Sequence, residues 1–194
     1  MHFDSPKKFT SREVYLLNEI QKFFTEEKIS DILVPLLNQK APISLRGIDW
    51  LITNYSKKYN ILCSSHINGG QMINIFHSYK RALAFYKRKH FDPFRRRTRL
   101  YIHLSDGNTV ESTIGQTVFL MWASRLGVLK YAYSHADEIE TDMNNCTALF
   151  RKERKKLILE GISQRRKELS KAPASHCIVY RKPQIVPSHI LNET

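Results

Sequence analysis

The hydrophobic pattern changes period across Asp92-Pro93, and no single element satisfies both sides of that break. Over residues 71–89, Met72, Ile75, Phe76, Tyr79, Ala82, Leu83 and Tyr86 recur at helical spacing and define one apolar face. Beyond the break, Leu100, Ile102 and Leu104 alternate with Tyr101 and His103 and run into Asp106-Gly107, a dipeptide favoured in tight hairpin turns. Proline pushes the residue before it out of the helical region, so the helix stops by Asp92 and a strand starts afresh. The chain is therefore expected to be α+β: a mostly helical single domain over residues 1–171, with a central β-hairpin near 99–114, followed by an irregular C-terminal tail over 172–194.

The remaining elements are placed by the same signals. Residues 11–28 have the spacing of an amphipathic helix, through Val14, Leu17, Ile20, Phe23 and Phe24. Ser30 is a candidate cap for "DILVPLL", a short segment that Pro35 limits or kinks, and Ser44 caps a longer helix over 44–60. "ILCSSH" is a candidate strand and "INGG" a turn. Thr113 and Gln116 have capping-box spacing ahead of "VFLMWASRL", a buried helix stopped by Gly127. "VLKYAYSH" continues as a short helix, and a long one starts at Ala136, with Gly161 as its expected interruption and 177–180 as a candidate strand in the tail. The longest apolar run, 118–123, is far short of the ~18 residues of a membrane span. Three widely spaced cysteines, Cys63, Cys146 and Cys177, and an N-terminus without an apolar leader predict a soluble protein of a reducing compartment.

Charge is segregated. The net charge of +13 resides in two blocks: residues 79–99 hold nine basic side chains and one acid, and residues 151–171 hold nine basic side chains and three acids. Such blocks are the footprint of a polyanion or of an acidic surface. The candidate docking residues are Lys80, Arg81, Lys87, Arg88, Lys89, Arg95, Arg96, Arg97 and Arg99 in the first block. In the second they are Arg151, Lys152, Arg154, Lys155, Lys156, Arg165 and Arg166. Lys80, Lys87, Arg88 and Lys89 are expected along one helix, with the arginines after the break. Part of the second block needs no partner, because cations at the end of a helix that opens with Asp137, Glu138, Glu140 and Asp142 complement its dipole.

Catalysis finds little support. Asn68-Gly69-Gly70 precedes a helix but lacks the lysine and spacing of a phosphate loop, and no Cys-x-x-Cys, His-x-His or His-Glu-x-x-His pair offers metal ligands. His77 is expected as a hydrogen-bonded core histidine and His103 as a half-exposed strand residue. Asp106 and Glu111 are the only acids placed like nuclease carboxylates, and their simpler roles are to make the turn and to face solvent. The expectation is thus no catalytic residue, no metal and no cofactor. Tyr86, Phe91 and Phe94 are candidates for stacking on bases, although core anchorage of a turn accounts for them more simply.

Three stretches, "SLRGIDWLITNYSKKYNI" (44–61), "SYKRALAFYKRKHFDPFRRR" (78–97) and "TVESTIGQTVFLMWASRLGVLKYAYSHADEIETDM" (109–143), resemble in that order a family of small proteins of nucleocytoplasmic large DNA viruses, iridovirus-like and phycodnavirus-like groups included. "FDPF" followed by arginines and "TIGQ" entering an aromatic helix are its specific parts, and "YRKPQIV" (180–186) extends it. The resemblance carries no catalytic activity and no site residues. It implies a setting: a particle with a capsid shell, an internal membrane and small minor proteins, assembled in host cytoplasm. The expected function is a non-enzymatic structural or assembly protein, minor capsid-like, of the virion. Its partners would be other virion proteins, or the anionic headgroups of a nearby membrane, which it does not span. The alternative is a sequence-nonspecific DNA- or RNA-binding protein of viral replication, late transcription or genome packaging.

Overall fold

The computed structural model describes residues 1–64, 69–159 and 180–181. A short strand β1 (His2–Asp4) leads into α1 (Ser11–Phe23), whose first turn is closed by a reciprocal capping box: Glu13 N donates to Thr10 Oγ1 at 3.3 Å and Thr10 N to Glu13 Oε2 at 3.0 Å. The helix expected over 11–28 breaks after Phe23, because Phe24 turns extended to bury its ring and Thr25 caps α2 (Glu26–Lys28). Thr25, not Ser30, is therefore the cap of the next segment, and the Ser30 hydroxyl donates to Glu26 O at 3.1 Å. A π-helical turn, Ile29–Leu33, carries the chain into α3 (Val34–Leu37), so Pro35, which has no N–H to donate, lies inside a continuous helical run just after that wider turn. Ser44 caps α4 (Leu45–Trp50) as expected, and a second π-helical turn, Leu51–Tyr55, joins it to α5 (Ser56–Tyr59).

The helix expected from residue 71 starts later. β2 (Leu62–Ser64) pairs antiparallel with β3 (Met72–Asn74), and Asn74 ends that strand by accepting from His77 N at 2.9 Å, so α6 spans Ile75–Tyr86. His77 is exposed rather than in the core. Then follow β4 (Leu100–His103) and β5 (Asn108–Ser112), the expected hairpin, with Ile102 opposite Val110. Its loop holds three residues rather than two: Leu104 N reaches Asn108 O at 2.9 Å and Gly107 adopts a left-handed φ of 84°. α7 (Ile114–Arg125) ends at Gly127, α8 is Val128–Ser134, and α9 is Ala136–Leu159. The strand β6 (Tyr180–Arg181), inside the tail expected to be irregular, completes an antiparallel sheet of order β1-β4-β5-β6. Gly161 and the 171/172 boundary lie outside the described residues.

One core unites these elements. α7 is buried on every side from Gly115 to Ala123, as a helix apolar all round must be, and α1 packs along it with Leu16, Leu17 and Ile20. No helix among the described residues is long and apolar enough to cross a membrane.

The break at Asp92-Pro93 is fastened to the start of α7. Asp92 N donates to Gly115 O at 3.2 Å, and the buried Gln116 Nε2 donates to Pro93 O at 2.8 Å. Gln116 Oε1 accepts from Ser112 Oγ at 3.0 Å, so the side chain that capping-box spacing assigned to its own helix cap bridges two other segments instead; only the Thr113 half of that cap forms. Gly115 makes this approach possible, since a Cβ there would lie 3.2 Å from Lys89 O. Phe91 is buried among Tyr79, Tyr86, Phe119 and Trp122, with ring centroids 5.3 to 5.9 Å away. Gln116→Ala leaves the Pro93 carbonyl buried without a donor and is expected to cost about 1–3 kcal/mol in urea unfolding. A loss within experimental error of zero would show that the bridge does not hold the break.

Candidate polyanion-docking surface

The first basic block divides into cations bound within the fold and cations left outside. Glu111 on β5 is 12% exposed in its side chain and lies under two arginines: Arg99 Nε stands 2.9 Å and Arg95 Nη1 3.3 Å from its Oε1. Arg99 also donates to Arg95 O at 2.8 Å, and Arg95 Nη1 is buried with no hydrogen bond besides the ionic contact. Glu111 therefore does not face solvent; Arg95 is largely covered beside it, while Arg99 pairs with it and keeps a side chain 35% exposed. A covered carboxylate is costly unless a cation reaches it, and the arginines just before β4 are the ones within reach.

Three further members are partly occupied. Arg96 Nε stands 3.5 Å from Asp92 Oδ2 and its guanidinium lies 4.8 Å above the half-buried Phe94 ring. Lys89 Nζ is 3.1 Å from Glu13 Oε1, and the buried His90 shares the same oxygen at 3.3 Å. Burial alone would raise the Glu13 carboxyl, but the Thr10 N–H, Lys89, the Thr10 hydroxyl and His90 outweigh it and draw it down to about 2. Lys80 lies 5.1 Å from the Phe76 ring. The expected core anchorage holds for Phe91, which is buried in the core cluster, whereas Phe94 stays half-buried outside that cluster under the Arg96 guanidinium.

Arg81, Lys87, Arg88 and Arg97 are exposed without an acidic partner among the described residues. Lys87, Arg88 and Lys89 are not on the helix that carries Lys80 and Arg81. α6 ends at Tyr86, Lys87 turns left-handed with φ 65°, and a 3-10 turn, Arg88–His90, follows.

The second block lies on the far end of α9. The near end is held to the body by the buried Ile139 and Met143 and by Asp142, which accepts from Trp50 Nε1 at 2.9 Å, Lys58 Nζ at 2.7 Å and the Tyr59 hydroxyl at 3.4 Å. Past Met143 no residue of α9 is buried; Leu149, Phe150 (65% exposed), Ile158 and Leu159 are open, among the exposed Arg151, Lys152, Arg154, Lys155 and Lys156. Arg165 and Arg166 lie outside the described residues. The apolar side chains of this segment gave no warning in the sequence, where they pass for the continuation of a packed face.

Among the described residues no group of three or more His, Cys, Asp or Glu side chains is placed to hold a metal. Burial pushes the Cys63 thiol up to about 11, and it donates to Leu126 O at 3.1 Å, so it is an inert packing residue. His103 is half-exposed as expected, 2.9 Å from the Thr109 hydroxyl through Nδ1.

With this geometry in hand, comparison with known proteins places the chain in a family. It belongs to DUF7197, a family of unknown function, whose pattern matches residues 2–187. It is similar to "Uncharacterized protein L507" of Acanthamoeba polyphaga mimivirus, with 34% identity over 148 residues, 73% of this chain and 57% of that protein. The chain thus spans little more than half the length of that relative. The large-DNA-virus setting implied by the resemblance agrees with this relative. No solved structure matches. The two most specific stretches of the resemblance, "FDPF" and "TIGQ", are the two that meet through Asp92–Gly115 and Pro93–Gln116.

A second carboxylate near the block, besides Glu13, is out of its ordinary range. Burial pushes Asp49 on α4 up to about 6, with the Asp92 charge adding to this and Arg96 opposing it. The folded protein holds that proton up to about pH 6, whereas an unfolded chain releases it near the usual 3.8, so stability falls as pH rises through this window and stays low above it. Asp49→Asn is expected to stabilise the protein at pH 7.5 by on the order of 1–3 kcal/mol, a gain that vanishes below pH 4 in unfolding titrations. A gain equal at both pH values would assign it to something other than ionisation.

Proposed function

We propose that this protein is a non-enzymatic structural or assembly protein, minor capsid-like, of a large DNA virus particle, and that it docks on acidic surfaces of neighbouring virion proteins. The observation that carries the proposal is the outer half of α9. A helix that leaves its own core with Leu149 and Phe150 open, beside Arg151, Lys152, Arg154 and Lys155, has an apolar anchor inside a cationic frame. Such a surface fits a partner that offers an apolar seat ringed by carboxylates, which arginine engages bidentately. The mimivirus relative supports the viral setting, and the proposed places of residence are the virion and, during assembly, the host cytoplasm.

Binding to DNA or RNA through Arg95, Arg96 and Arg97 is weaker as a reading of the first block, because Arg95 serves Glu111 and Arg96 serves Asp92 and Phe94. Replacing all three would test the fold rather than the contact.

Quantitative mass spectrometry of purified particles against infected-cell lysate is expected to find the protein enriched in the particles. A variant with Phe150→Ser, Arg151→Gln and Arg154→Gln is expected to remain folded and to be depleted from them at least about tenfold, as for loss of a central hot spot. Abundance in cells with absence from particles would contradict the proposal.

A further inference from the structure

We propose that the corner where α1 meets the end of α6 is a stacking platform for single-stranded nucleic acid. Two aromatic side chains on these neighbouring helices stand open, Tyr15 (56% exposed) and Phe85 (60% exposed). Arg12 joins them: one turn before Tyr15 on α1, its Nη2 donates to Phe85 O at 2.7 Å and its guanidinium lies 5.9 Å from the centre of the Phe85 ring. Phe85 is braced from below, because its ring meets Tyr86 edge-on at 4.9 Å and Tyr86 stacks on the buried Phe91 at 5.4 Å. The ring is thus fixed in place while its outer side stays in water.

Exposed apolar rings are costly in water unless something covers them, and the surroundings say of what charge. Lys87 and Arg88 come two and three residues after Phe85 and have no acidic partner among the described residues. The acids of α1 are already taken, Glu13 by Lys89 and His90, and Glu19 by Lys22 at 3.0 Å. The corner is therefore cationic around two flat aromatic faces. A single strand presents that complement, phosphates beside unstacked bases, whereas a duplex hides its base faces.

The backbone adds a second, independent sign. Lys87 has φ 65° and ψ 155°, a region that is essentially glycine's alone. Glycine there would relieve the strain, yet the position carries a cation beside the platform. Strained backbone clusters at functional sites, and here it falls in the exposed cationic segment just after Phe85.

The inference is independent of the assembly role of α9. Its test is fluorescence anisotropy of the full chain with a labelled ~20-base single strand and the matching duplex near 150 mM salt. The single strand is expected to bind more tightly than the duplex. The double variant Tyr15→Ala, Phe85→Ala, whose parent side chains are both exposed and so leave the fold intact, is expected to bind at least about tenfold more weakly with an unchanged salt slope. Lys87→Gly is expected to raise the melting temperature while lowering the salt slope by about one phosphate contact. Parent-like binding by the aromatic double variant would overturn the proposal by assigning any affinity to α9. Preference for duplex, or no binding of the single strand, would also overturn it, leaving an acidic protein surface as the occupant the corner fits.

Discussion

A buried amide holds this fold at its least regular point. Gln116 donates to the carbonyl of Pro93 from inside α7 and accepts from Ser112 on β5, so one side chain joins the break, the hairpin and the central helix. Phe91 enters the aromatic cluster a few residues away, and Gly115 leaves room for the backbone of residues 89–92 to lie against the helix. From this junction two directions are set. α6 must stop short and turn at Lys87, and the chain must leave Pro93 toward β4 along the face where Glu111 waits.

That second direction decides what the basic block can do. With β4 and β5 paired in register, Glu111 lies across from Tyr101 and close to the approach of residues 95–99, and it binds Arg95 and Arg99. A cluster that looks like one positive surface in the sequence is two things in space. Part of it neutralises carboxylates that the fold largely covers, Glu111, Asp92 and Glu13. The remainder, Arg81, Lys87, Arg88 and Arg97, is exposed. The second block differs because α9 runs past its anchorage at Asp142 and Met143, and Arg151, Lys152, Arg154 and Lys155 are exposed on it.

Periodicity made the architecture legible: the hairpin, the caps at Ser44 and Thr113, the stop at Gly127 and the start of α9 all follow from local spacing. The misreadings have one physical cause. Whether residues 72–74 are helix or strand depends on pairing with residues 62–64, and whether Gln116 caps its own helix depends on a carbonyl 23 positions away. Glu111 was expected in solvent for the same reason, since alternation places a residue on a face without saying what crosses that face. Charge counting had the matching blind spot: it located the blocks, and it could not separate arginines that neutralise buried acids from arginines left over. The exposed pair Tyr15 and Phe85 had no sequence signal, because each fits the edge of an amphipathic helix.

The division of the arginines is the central claim, and arginine-selective chemical modification of the native protein, read by peptide mass spectrometry, tests it most directly. Arg95 is expected to be protected and the ion-paired Arg99 slowed, while Arg81, Arg88, Arg97, Arg151 and Arg154 react at close to the rate of the unfolded chain. Reaction of Arg95 and Arg99 as fast as Arg97 would contradict the account and return the whole first block to the surface.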